Sequence, residues 1–306
     1  MIPTASVAQS VPAAQPSPTT GPAFKIYTRR TRTTFLKLLI YGRYGTGKTY
    51  LAGTAAAVPS MQDVIMLSAE SGELTLEADE HNFENIDTVP VDKYSTVARI
   101  HELLERHCRI RDSKEPNADD RLRRMQADFM EISLEEVDEV GLRKYRTCII
   151  DSLTEVEAYC MMQLLGITDR NKLDEEMMSP EWGDYGKQIN MIVRLMRRFR
   201  NLPMHVIFVC SQRTTEDDRK RQMWSPAMTG QLSDKVQGFV DMVGWYRTLP
   251  AREDKTIPRV LHVQPTGRFD AKCRFTKFRD PHFEDPTIPS ILEAVGLTKI
   301  SQDTSS

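Results

Sequence analysis

The apolar positions of this chain change rhythm repeatedly between residues 34 and 280. The runs "FLKLLIY" from Phe35, "VIMLS" from Val64, "IDTVPV" from Ile86, "TCIID" from Thr147 and "HVIFVC" from His205 have strand length and little polar alternation. A strand that is apolar at consecutive positions is covered on both faces, as in a parallel sheet with helices on either side. Between the runs lie stretches with helical spacing, one from Lys48, one near 94–107, and two near 153–165 and 185–200. The alternation predicts an α/β fold whose mostly parallel central sheet is flanked by helices. "VDMVGWYRT", "RVLHVQP" and "KCRFTKF" follow one another without room for helices between them, which predicts antiparallel strands extending one edge of the sheet.

Three stretches break the pattern. "VIFVCSQRTTEDDRKRQMW", residues 206–224, passes from a buried-strand composition to a dense mixture of charges, and reads as a central strand opening onto a charged loop. Residues 108–145 carry both charge signs throughout and read as a solvated helical insertion. Residues 1–23 and 301–306 have the composition of disordered tails, which leaves 24–300 as one domain. Phe24–Tyr27, "FKIY", reads either as a strand for a neighbouring subunit or as the start of the chain's own sheet.

Composition narrows the function classes. With 40% hydrophobic and 27% charged residues in 306, the chain is an ordinary soluble globular protein. A formal net charge of -2 excludes nucleic-acid binding by bulk charge, so any such binding needs a local patch. The five cysteines, Cys108, Cys148, Cys160, Cys210 and Cys273, lack CxxC or metal-type spacing and read as reduced core residues. Neither a signal-peptide pattern nor a run of transmembrane length is present, so the expectation is a cytoplasmic protein with no membrane partner.

The chemistry begins at "GRYGTGKT", residues 42–49, a complete G-x-x-x-x-G-K-[ST] between an apolar strand and a helix. Gly42, Gly45 and Gly47 let the backbone curl, so that N–H groups across Arg43, Tyr44, Thr46, Lys48, Thr49 and Tyr50 surround a nucleotide's phosphates. Lys48 reaches the outer phosphates and Thr49 offers a hydroxyl to Mg²⁺, so the implied ligands are ATP and Mg²⁺. Asp151 closes the strand "TCIID", where parallel sheets present ligand groups, and reads either as a holder of the metal's water shell or as a helix N-cap. Glu70, ending "VIMLSAE", is the candidate to orient the attacking water, on a strand expected beside the phosphate-loop strand; Glu73 and a plain surface turn are its competitors.

In order, these parts resemble the RecA-like ATPase core, and in particular the phage single-strand-annealing ATPases of the Sak group, over roughly residues 35–280. The resemblance implies a γ-phosphate-sensing Gln212 after Ser211 in "CSQR", where the family commonly has Asn before the glutamine. It also implies that Lys272 and Arg274 of "DAKCRF" act on a neighbouring subunit's nucleotide. In such folds the loop after "HVIFVC" faces DNA. Arg213, Arg219, Lys220 and Arg221 would then contact phosphates and Trp224 would stack on a base, unless Glu216, Asp217 and Asp218 simply pair with the cations. Trp182, in "EEMMSPEWGDYGK", marks a second candidate DNA loop. The implied function is a Mg²⁺-dependent, phage-encoded ATPase that binds single-stranded DNA and promotes annealing or homologous recombination in the host cytoplasm. It would work as a ring or filament, with a phage nuclease or single-strand-binding protein as possible partners. A helicase or helicase loader of the same fold, a small-molecule kinase and a non-hydrolysing switch are the alternatives.

Overall fold

Strand β1, Lys37–Gly42, is buried at every position and shows how the fold is layered. Leu39 and Tyr41 enter one apolar cluster, while Leu38 and Ile40 enter a second on the opposite face. The computed structural model describes residues 35–76, 81–168, 170–172 and 174–297, without the side chain of Glu73. The expected tails at 1–23 and 301–306 and the Phe24–Tyr27 segment lie outside the described residues.

From β1 the chain passes to helix α1 (Lys48–Gly53), strands β2 (Val64–Ser68) and β3 (Ile86–Pro90), and helices α2 (Tyr94–Arg111), α3 (Ala118–Met130) and α4 (Leu134–Val140). Strand β4 (Thr147–Asp151), helices α5 (Leu153–Leu164) and α6 (Trp182–Asn201), and strands β5 (His205–Glu216) and β6 (Gln222–Pro226) follow. Helix α7 (Leu232–Gln237), strands β7 (Met242–Thr248), β8 (Arg259–His262), β9 (Lys272–Cys273) and β10 (His282–Glu284), and helix α8 (Ile288–Val295) complete the order.

The sheet runs β10-β8-β7-β1-β5-β4-β2-β3, with β6 beside β5 and β9 beside β7. The six strands from β7 to β3 are parallel, and β8, β9 and β10 are antiparallel additions at the β7 edge. This is the expected α/β architecture, a mostly parallel sheet with antiparallel strands at one edge. Helices α2, α5, α6 and α7 pack on the Leu39 face, and α1 and α8 on the Leu38 face. Among the described residues no helix is long and apolar enough to cross a membrane. All five cysteines are free, four of them buried.

Three expectations change. Strand β7, from "VDMVGWYRT", pairs parallel with β1 and is not one of the antiparallel edge strands. The strand leading to Glu70, β2, is not beside β1, because β5 and β4 stand between them. Residues 108–145 are helical but not wholly solvated. Ile110, Leu122 and Met125 form a small core of their own, and Arg143 ties the segment's end to Asp87 at 3.1 Å.

Candidate active site

The phosphate loop leaves β1 where β7 passes closest. A Cβ on Gly42 would lie 2.1 Å from the carbonyl oxygen of Tyr246, so no side chain fits there. Gly47 precedes α1 with φ 87°, a conformation that glycine adopts without steric cost. Lys48 folds back onto its own loop, its Nζ donating to the carbonyls of Gly42 (3.1 Å) and Arg43 (3.0 Å). Burial lowers the Lys48 pKa, and the carboxylates of Glu70 and Asp151 oppose that shift.

Thr49 Oγ1 donates to Asp151 Oδ2 at 2.5 Å. Helix α5 is capped by Ser152, whose hydroxyl accepts from Glu155 N at 3.3 Å. The N-cap role therefore belongs to Ser152, and the Asp151 carboxylate faces the phosphate loop. The same Ser152 hydroxyl donates to Glu70 Oε1. The chain after Glu70 turns directly against the loop, since a Cβ on Gly72 would lie 3.1 Å from Thr49 Oγ1. Glu70 thus reaches the site although its strand is two removed from the one expected beside it. Glu155 joins this acidic group, its carboxyl pKa raised by burial and then by Glu70.

A threonine hydroxyl and an aspartate carboxylate converging on one point suit a hard divalent cation. Mg²⁺ binds through one or two protein carboxylates and completes its shell with water and phosphate oxygens. Among the described residues no group of three or more His, Cys, Asp or Glu side chains is arranged to hold a metal by itself.

The charged stretch after β5 is a β-hairpin rather than a loop. β5 continues past Cys210 as "SQRTTE" and pairs antiparallel with β6, from Gln212↔Pro226 to Glu216↔Gln222. Lys220 N donates to Asp217 O (2.8 Å), Asp217 N donates to Arg221 O (3.0 Å), and Lys220 takes φ 57°. That is a three-residue connection in which a left-handed residue closes a turn, a position usually given to Gly or Asn. The Asp217 carboxylate replaces their contribution by accepting from the backbone N–H of Arg219 (2.9 Å) and Arg221 (2.8 Å).

The hairpin separates the predicted DNA residues. Arg219 and Lys220 are exposed at the tip, and Arg221 pairs with Asp217 at 2.6 Å. Arg213 turns inward at the root, donating to Met228 O at 3.0 Å. The Trp224 ring is stacked on Trp245, with centroids 4.6 Å apart and planes 11° apart, so one of its faces is already covered. Gln212 sits at the root; its Oε1 accepts from Trp245 Nε1 at 2.8 Å and its amide donates to Thr214 Oγ1 at 3.2 Å. Gln212, Thr214, Gln222 and Trp224 share a cavity of about 930 Å³ with phosphate-loop residues Arg43, Tyr44, Gly45 and Thr46.

Trp182 is 93% exposed at the start of α6. Helices α5 and α6 run parallel, with Gln188 Nε2 donating to Glu157 O at 2.9 Å and Cys160 Sγ 3.9 Å from Met191 Sδ. The beginning of α6 therefore stands at the same end of the sheet as Asp151, the end that carries the phosphate loop and the hairpin.

Lys272 and Arg274 lie elsewhere. Lys272 pairs with Val243 near the start of β7, whereas the phosphate loop adjoins Tyr246. Three strand residues, about 10 Å, separate the two levels. Lys272 Nζ donates to the carbonyls of Gln237 (2.7 Å) and Val240 (2.9 Å). Arg274 donates to Gly238 O (3.2 Å) and pairs with Asp241 (3.4 Å). The two cations do converge on one target, but it is the carbonyl-rich end of α7 in their own chain, where cations satisfy otherwise unpaired acceptors.

Residues that the sequence did not single out complete the surroundings. Trp245 holds Gln212, Arg247 lies over the Trp245 ring at 5.1 Å, and Arg259 lies against Gly47. The strand runs "VDMVGWYRT" and "RVLHVQP" contained all three, but no local signal set any of them apart as a site residue.

A protein-family model described as an AAA domain matches residues 34–275. Among solved structures the chain is similar to a KaiC-like protein from the hyperthermophilic archaeon Pyrococcus horikoshii OT3, at 12% identity, with 81% of this chain and 84% of that chain covered and a TM-score of 0.39. It is similar also to the flagellar accessory protein FlaH from Methanocaldococcus jannaschii, at 10% identity, with 81% and 84% covered and a TM-score of 0.38. The RadB recombinase matches at 12% identity, with 74% and 79% covered and a TM-score of 0.35. No curated protein matches the chain in sequence. With the family match spanning the sheet, the phosphate loop and the hairpin, the chain belongs to the AAA domain family and carries a P-loop NTPase core.

Proposed function

We propose that this chain is a Mg²⁺-dependent ATPase that binds single-stranded DNA at the loop end of its sheet and promotes annealing or recombination of single strands, working as an assembly of several copies. The observation that carries the reading is the shared cavity. The root of a hairpin tipped with Arg219 and Lys220 lines the same space as phosphate-loop residues Arg43 to Thr46. The exposed Trp182 at the same end supports it, since basic groups and aromatic faces together suit sequence-tolerant binding of single strands. The resemblance to phage single-strand-annealing ATPases supports a phage setting, with a nuclease or a single-strand-binding protein acting on the same strand.

In this reading the phosphate-loop backbone and Lys48 bind the phosphates, and Thr49 and Asp151 hold the divalent ion, which supplies charge neutralisation at the outer phosphates. Glu70, held by the Ser152 hydroxyl, orients the attacking water. Gln212, one residue past the Gly42↔Ser211 pairing, lies at the boundary between nucleotide and hairpin. The experiment is ATP turnover with and without a single-stranded oligonucleotide, with sedimentation of the same samples. Stimulation that is lost in the R219A/K220A/R221A variant is expected. Absence of both binding and stimulation would overturn the DNA assignment, and unwinding of a duplex without annealing would move it to a helicase.

A further inference from the structure

Arg259 opens β8 with its backbone fixed on both sides. It pairs with Thr248 of β7, its N–H donates to Asp285 Oδ1 at 2.7 Å, and its carbonyl accepts from Asp285 N at 2.7 Å. From this anchor the side chain reaches the phosphate loop. A Cβ built on Gly47 would lie 3.2 Å from Arg259 Nε and 3.6 Å from Cζ. Among the described residues the guanidinium forms no ion pair or hydrogen bond. Asp285, the carboxylate bonded to its backbone, is occupied by the Arg259 amide and by Arg252 at 3.5 Å. Arg259 is otherwise exposed, so a permanent cation stands against the phosphate loop, open to an anion bound there.

The sheet order says which part of the anion that would be. β7 and β8 lie on one side of β1, and β5, β4 and β2 on the other. Thr49 bonds toward the second side, to Asp151, and Glu70 lies there with Ser152. A nucleotide on this loop with its terminal phosphate and ion toward Asp151 has its inner phosphates toward β8. We infer that Arg259 binds, within its own chain, the phosphates common to ATP and ADP. This rests on the nucleotide-site reading above.

The test is calorimetric titration of ADP and of a non-hydrolysable ATP analogue into wild type, Arg259→Ala, Arg259→Lys and Lys48→Ala, with melting curves of each protein. Arg259→Ala is expected to weaken both nucleotides by the same factor, about 10- to 100-fold, the range for loss of a charge-assisted hydrogen bond. Arg259→Lys is expected to recover part of it. The nucleotide-free melting temperature of Arg259→Ala is expected not to fall, while its upward shift with ADP shrinks, which a merely structural arginine would not produce. ADP affinity equal to wild type, or loss of analogue affinity with ADP unaffected, overturns the inference. If wild type binds neither nucleotide, the site reading fails first, and Lys48→Ala marks the level of that failure.

Discussion

Thr49, in the first turn of α1, and Asp151, at the end of β4, share a 2.5 Å hydrogen bond from Oγ1 to Oδ2. With that partner Asp151 is positioned before any ion arrives. Asp151→Asn should raise the Mg²⁺ concentration needed for half-maximal turnover by about 10- to 100-fold, as loss of an orienting carboxylate does at metal sites. Glu70→Gln should keep ATP binding and lose about 10²-fold in turnover, and Lys48→Ala should lose tight binding. Normal turnover by Glu70→Gln would transfer the water-orienting role to another carboxylate, with Glu155 the neighbour to test.

The hairpin tip and the tryptophan at its base should fail differently. Because Arg221 is committed to Asp217, the R219A/K220A/R221A variant should flatten the salt dependence of single-strand binding by about two contacts at roughly 0.7 each in log-log slope. Trp224→Ala should cost about 1–3 kcal/mol in binding with the salt slope unchanged, if its uncovered face stacks on a base. An unchanged affinity in both variants would point to Trp182.

Lys220 holds φ 57° at the tip, a left-handed conformation that costs a side-chain-bearing residue about 1–2 kcal/mol. Lys220→Gly should therefore raise stability in urea titration, by about 1 kcal/mol, while removing one tip charge. A destabilised variant would mean that the Lys220 side chain contributes more to the turn than its backbone costs.

Lys272 and Arg274 close the carbonyl end of α7, so their loss should appear as stability. Each alanine variant should unfold at lower denaturant, by about 1 kcal/mol, with turnover per folded molecule retained. Complete loss of turnover in Arg274→Ala, restored by mixing with Glu70→Gln, would instead establish action across subunits.

Stability should depend on pH through buried histidines. Burial, then Lys37, Arg111 and Arg146, lowers the His205 pKa from 6.5 to about 3, and burial and Arg111 lower that of His107 to about 4. Between 6.5 and those values the unfolded chain binds protons that the folded chain refuses, so stability is full above about 6.5 and falls as the pH drops toward 4. His205 Nδ1 also accepts from Leu36 N at 3.0 Å, a bond that protonation there would break. His205→Gln should show a shallower fall of melting temperature with acid, and an unchanged slope would remove His205 from the account.

The parallel core was legible because its inner strands β1, β2 and β4 are buried on both sides, whereas the edge strand β3 is partly exposed. "VIMLS" and "TCIID" coincide with β2 and β4 from end to end. The phosphate loop was legible because its glycines answer to backbone geometry at fixed spacing. The hairpin was not, since its left-handed position carries lysine and the compensating bonds come from Asp217. Helix α8 did carry a readable signal: Thr287 caps it reciprocally with Ser290, Pro289 lies in its first turn and Gly296 ends it at φ 75°. Contacts such as Arg259 with Gly47 or Trp224 with Trp245 join separate strands, and no periodicity encodes them.

β5 is one strand from the sheet centre to the hairpin tip, and side chains alternate along it without interruption. Val206, Phe208 and Cys210 point into the Leu39-side core, and in the same phase Gln212 and Thr214 line the cavity beside the phosphate loop. The hairpin thus has no phase of its own; it inherits one from the core. Inserting a single residue between Ser211 and Gln212 would leave every buried strand in place and turn the hairpin's other face, beginning with Ser211's successor in phase, toward the phosphate-loop cavity. The chain can lengthen its tip freely, but below Gln212 only changes of two residues preserve which side chains line the cavity beside the phosphate loop.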